Sequence, residues 1–136
     1  MLKSIGVVVG SYLLSVVLVL ATDPVLSRIL PGEFVRGREP STRALIISTL
    51  CFALVSAFCA WVCARYAPNR AGRHVLWLIA IGETMGLTVT IANWKGGFPH
   101  WYLLSWMVAW PVACWVGLKL SGRGNLPRRH FVKETG

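Results

Sequence analysis

Apolar positions fall in four long stretches, at about residues 4–22, 44–64, 75–92 and 101–118. Most charged positions are confined to the segments between and after them. A helix needs about 20 apolar residues to cross the hydrocarbon core of a bilayer, and each stretch is long enough. Together they take up more than half of the 136 residues. The pattern predicts an all-α fold, a four-helix transmembrane bundle over residues 1–120. A basic tail, residues 121–136, follows and is expected to be disordered and cytoplasmic.

The connections carry their own signals. After the first span, Asp23 suits a helix N-cap and Pro24 the first helical position. Val25, Leu26, Ile29 and Leu30 would share one face of a short helix, which Pro31-Gly32 would stop. That helix would either lie in the outer headgroup layer or cover the bundle. Residues 36–43 are polar and expected to be mobile. Pro68, Asn69 and Gly72 predict a tight turn. Gly96-Gly97 ends the third span and Pro99 opens the fourth. Short connections predict spans two, three and four as sequential antiparallel neighbours.

Composition agrees with the pattern. The chain is 55% hydrophobic and 14% charged, with a mean hydropathy of +0.60. The formal net charge is +9. In a soluble domain that excess would suggest nucleic acid. Here the basic residues flank apolar spans, which is the pattern of anchoring to anionic lipid, so no nucleic-acid partner is expected. Lys3, Arg65, Arg70, Arg73, Lys119, Arg123, Arg128, Arg129 and Lys133 fall on one side, and Arg28, Arg36, Arg38, Arg43 and Lys95 on the other. The excess places both termini in the cytoplasm. The first span also suits a signal peptide, with Lys3 ahead of it and Val19-Leu20-Ala21 near its end. Its length and a Gly6-x-x-x-Gly10 packing motif argue against cleavage.

Cys51, Cys59, Cys63 and Cys114 all lie inside spans and read as small packing residues. Trp61, Trp77 and Trp115 fall near the inner span ends, and Trp94 and Trp101 near the outer ends, as an aromatic belt does. Trp106 and Trp110 lie deeper, where indoles want hydrogen-bond partners, and should face other helices. His74 and His100 fall at opposite membrane faces, so they cannot ligate one iron together. No cofactor or metal site is expected. Pro111, inside the fourth span, is expected to kink it and to leave the Met107 carbonyl less satisfied.

The one feature with chemical content is Glu83. It lies about nine residues, roughly 13 Å, in from one end of the third span. A charge at that depth costs about 2.5–3.5 kcal/mol on insertion scales. Glu83 shares a helix face with Gly86, Thr90 and Asn93, a small polar stripe that should point into the bundle. Counting in from the cytoplasmic ends puts Tyr12, Ser56 and Trp110 at the same level, flanked by Ser11 and Ser15. Tyr and Trp can donate to a carboxylate. No Lys, Arg or His lies at this depth, so Glu83 is expected to hold its proton at neutral pH. It serves either as interhelical glue or as a proton or cation site. Gly6/Gly10 and Gly82/Gly86 are candidate close-packing positions, within the bundle or between copies.

Lys3-Ser4-Ile5-Gly6-Val7-Val8, Ala64-Arg65-x-Ala67-Pro68, and Pro99-x-Trp101-Tyr102 followed by Pro111 and Gly117 make the chain resemble a set of small bacterial four-span membrane proteins. The resemblance implies a four-helix bundle in a bacterial inner membrane. It brings no activity, ligand or catalytic residue, and the third span shares it least. Catalysis needs converging polar groups, and a single carboxylate with hydroxyls does not supply them. The first expectation is therefore a non-enzymatic accessory or structural membrane subunit. It would act in the lipid bilayer through helix packing, as a homo-oligomer or in a larger membrane complex. The alternative is a small oligomeric transporter or channel-like protein with Glu83 as its protonatable site. A water-accessible cavity reaching Glu83 would separate the two.

Overall fold

The computed structural model describes residues 2–33 and 41–123, and within them the chain is helical. The helices are α1 (Leu2–Ile29), α2 (Thr42–Tyr66), α3 (Ala71–Ala92) and α4 (His100–Leu120). At 1.5 Å per residue the shortest, with 21 residues, is about 31 Å long, so all four are long enough to span a membrane. The expected tail lies outside the described residues from position 124 onward, as does most of the polar segment expected at 36–43.

Helix α1 is longer than its apolar stretch. It continues through Pro24 to Ile29 as one helix, so Asp23 does not cap a separate element. Pro24 deprives only the Leu20 carbonyl of its donor. Local bonds carry the helix on: Thr22 Oγ1 donates to Leu18 O at 2.8 Å and Ser27 Oγ to Pro24 O at 2.9 Å. Leu26 is buried and holds the extension against the bundle, while Val25 and Ile29 stay exposed. The Ser41 hydroxyl opens α2, accepting from Ala44 N at 3.1 Å and donating to the Glu33 carboxylate. The turn before α3 also differs from expectation. Gly72 lies inside α3, and the left-handed residue is Arg70, with φ 46° and ψ 61°.

Each helix meets its neighbours in the chain, but the most extensive contact follows small residues. The most extensive interface joins α2 to α4, and α2 meets its sequence neighbour α3 far less. Around the bundle the order is α1, α2, α4, α3, with α1 and α4 on the diagonal and not in backbone contact. Lipid tails are as apolar as leucine, so membrane helices associate where small side chains let backbones approach. Ala60, Cys63 and Ala64 of α2 are completely buried. On α4, Ala113, Cys114 and Gly117 are also buried. A Cβ built on Gly117 would collide with the Ala57 carbonyl oxygen and lie 3.0 Å from Ala60 Cβ. The cysteines Cys59, Cys63 and Cys114 are free and wholly buried.

Arg123, just past α4, locks the same pair. Its guanidinium donates to the carbonyls of Ala64 (3.2 Å), Arg65 (3.0 Å) and Ala67 (2.7 Å), the unpaired end of α2. The last turns of α2 and α4 therefore share one end of the bundle, and the two helices run parallel. Trp61, Trp77 and Trp115 are exposed on the outside, as are Trp94 and Trp101.

Candidate functional site: a crevice around Glu83

A crevice of about 210 Å³ opens between α1 and α3 at mid-span, closed behind by α4 and Phe52 of α2. It exists because α1 and α4 do not meet: aromatic rings fill the diagonal instead of backbone. Trp110 is the central ring. It is 5% exposed and lies directly on Gly82, where any Cβ would collide with the indole. Its Nε1 donates to Ile79 O of α3 at 3.3 Å. Tyr12 meets it edge-on, with centroids 6.5 Å apart at 83°. Phe52 stacks on Trp106 at 5.9 Å, and Trp106 stands against Tyr102 at 4.9 Å and 72°.

Two polar atoms in this crevice are left without partners. Glu83 Oε1 and Trp106 Nε1 are both shielded, and neither has a hydrogen-bond partner among the described residues. A shielded group left unbonded costs free energy. One is a carboxyl oxygen and the other a pure donor. No lysine, arginine or histidine lines the crevice. Ser15, also on the wall, donates back to Tyr12 O at 2.7 Å.

The residues expected at this level divide. Glu83, Tyr12 and Trp110 come together on the crevice wall, with Gly82 and Gly86 beside them. Ser56 does not reach it. It is completely buried and its hydroxyl donates to Phe52 O at 2.6 Å, one turn back on its own helix. Thr90 is buried further along α3, off the wall. Of the four candidate packing glycines, only Gly82 is in close contact: a Cβ on Gly6, Gly10 or Gly86 would meet nothing within 4 Å. Phe52, Trp106 and Met107 also line the crevice. Trp106 was legible as a deep indole in need of a partner. Phe52 carried no signal that distinguishes it from its apolar neighbours.

The crevice is the first of three adjoining spaces. Val19, Phe52 and Trp106 also bound a smaller cavity of about 90 Å³, lined further by Thr22, Asp23, Ser48 and Tyr102. Asp23, Ser48, Tyr102 and Trp106 in turn border an outer space of about 550 Å³ that reaches Ser27 and Asn93. Ser48 Oγ and Tyr102 Oη face each other at 3.3 Å along this line. Polar groups thus extend from Glu83 toward the end of the bundle where α3 terminates.

Among the described residues, no three His, Cys, Asp or Glu side chains converge as metal ligands would. His100 stacks on Trp94 at 4.2 Å, and His74 lies at the start of α3, facing Arg70 O. Comparison with protein-family models, curated proteins and solved structures finds no match.

Proposed function

We propose that the protein is a small, non-enzymatic membrane transporter or channel-like protein in which Glu83 is the exchangeable proton or cation site. One observation carries this reading: the unpartnered Oε1 of Glu83 lies in a crevice of about 210 Å³ that also holds the unpartnered Trp106 Nε1. A carboxyl used only as glue between helices would have its bond made. An ionisable residue at membrane depth is a functional site by default. The polar spaces leading past Trp106 and Tyr102 toward Asp23 support access from one side. Four helices make a thin wall, so the working unit is an oligomer.

A second reading, an accessory subunit of a larger membrane complex, draws support from the outward glycines. Gly6 and Gly10 are exposed and open, and so would admit a neighbouring helix closely. The nine-to-five basic bias supports both termini in the cytoplasm, and the resemblance to bacterial four-span proteins supports an inner membrane. Single cysteines at Arg38 and Arg128, in a cysteine-free background, check the orientation. The first should be labelled from outside intact cells and the second only after lysis; the reverse pattern inverts the topology.

The site is tested in liposomes carrying a pH-sensitive dye, with Glu83→Gln as the variant. The amide keeps shape and hydrogen bonding but cannot exchange a proton. Wild-type vesicles should relax an imposed pH gradient faster than empty ones, and the variant should not, with an unchanged melting temperature. An infrared carboxyl C=O band present in the wild type and missing from the variant would report the held proton. Equal relaxation by wild type, variant and empty vesicles would sink the reading.

A further inference from the structure

A second concavity, of about 540 Å³, lies at the opposite end of α3 from the polar spaces above. It runs between the first turns of α1, the α2–α3 turn and the first half of α3. We propose that this groove binds one anionic phospholipid of the surrounding bilayer. Arg70 and Arg73 hold its phosphate, and an acyl chain lies along Ile5, Val9 and Ile81.

The order of polarity in the groove is that of a phospholipid. Asn69, Arg70, Arg73 and His74 cluster at the α3 start, while Ile5, Val8, Val9 and Ile81 form the rest of the wall. Ile81 stands eight residues beyond Arg73, which places it about 12 Å deeper along the helix. Trp77, half-way between, is 64% exposed, at the level where an indole marks the boundary between headgroups and tails. A free anion would have no use for the apolar length, and an uncharged lipid none for the arginines.

No acidic side chain pairs with Arg70 or Arg73 among the described residues. No Asp or Glu occurs between residues 1 and 22 or between 66 and 82, the segments that build the groove. Arg70, at the N-cap, and Arg73, in the first turn of α3, both line the groove. Arg70 takes a left-handed backbone that glycine or asparagine ordinarily supplies. No side chain caps the start of α3, where Arg73 N donates to Arg70 O at 2.8 Å. The basic excess supports a cytoplasmic setting for this end of the bundle, in the leaflet where anionic lipids concentrate. The inference does not depend on the role of Glu83.

The test is lipid titration of the intact protein in neutral detergent, read by native mass spectrometry and by melting temperature. Phosphatidylglycerol, phosphatidylcholine and inorganic phosphate are the three probes. Phosphatidylglycerol should bind and raise the melting temperature, and the other two should do neither. Each arginine near an anionic surface contributes enough to change affinity about fivefold. Arg73→Gln should therefore weaken phosphatidylglycerol about fivefold and Arg70→Gln/Arg73→Gln about twenty-fivefold. Arg65→Gln, at the same end but outside the groove, should leave it unchanged. Arg73 lies within α3 and is exposed, so its single variant stays informative if the double variant fails to fold. Equal weakening by Arg65→Gln would reduce the effect to diffuse surface charge and overturn the site. Stabilisation by inorganic phosphate equal to that by phosphatidylglycerol would overturn the lipid as its occupant.

Discussion

Gly117→Val is expected to cost about 3 kcal/mol or more, the upper end of what overpacking usually does. The obstacle is backbone: the first added carbon would collide with the Ala57 carbonyl and lie 2.9 Å from Trp61 N. Neither can rotate away as a side-chain tip can. Relief requires α2 and α4 to separate, which would open the most extensive interface in the bundle and strip Arg123 from the end of α2. The gain in helix propensity from glycine to β-branched valine, about 0.3 kcal/mol, offsets little of this. Thermal unfolding in mild detergent, followed by circular dichroism, measures the effect. A variant that melts with the wild type would show that this close approach does not support the fold.

Gly82→Ala is the second large effect and reaches the crevice itself. The new methyl would collide with the indole of Trp110. That ring is held by Ile79 O and flanked by Tyr12 and Phe52, so it has little freedom to yield. Displacing it sacrifices a hydrogen bond and ring packing, at a cost of about 2 kcal/mol, and should shift the tryptophan emission. Gly86, one turn on and facing the same crevice, meets nothing. Gly86→Ala should therefore melt no lower than the wild type. Equal losses from the two alanines would mean that loss of flexibility, and not contact with Trp110, is at stake.

The contrast between these glycines shows where sequence reading stops. Four spans were legible because bilayer thickness sets a length that apolar runs either reach or miss. Which face of each span turns inward was not. Lipid and protein interior are equally apolar, so Leu54 or Val108 can lie outside as readily as Leu78 inside. Polar residues escape that degeneracy, and Glu83, Tyr12 and Trp110 were accordingly placed together by depth alone. Depth says nothing of azimuth, however, and Ser56 at the same level proved to face elsewhere. Gly-x-x-x-Gly spacing marked Gly6, Gly10 and Gly86, which make no close contact among the described residues, and passed over Gly117. Chain order told part of the arrangement: α3 does meet both α2 and α4, but small residues make α2 and α4 the most extensive pair.

That pairing has a consequence for assembly. The partner of α2 is the last helix to be synthesised, with α3 in between. While the ribosome is still making α4, α2 has its thinner contacts with α1 and α3, and its terminal carbonyls lack the guanidinium that later covers them. The tightest joint of the bundle closes only after the chain has passed Arg123. The final helix thus acts as a keystone: until it arrives, the first three helices lack the interface that covers Ala60, Cys63 and Ala64.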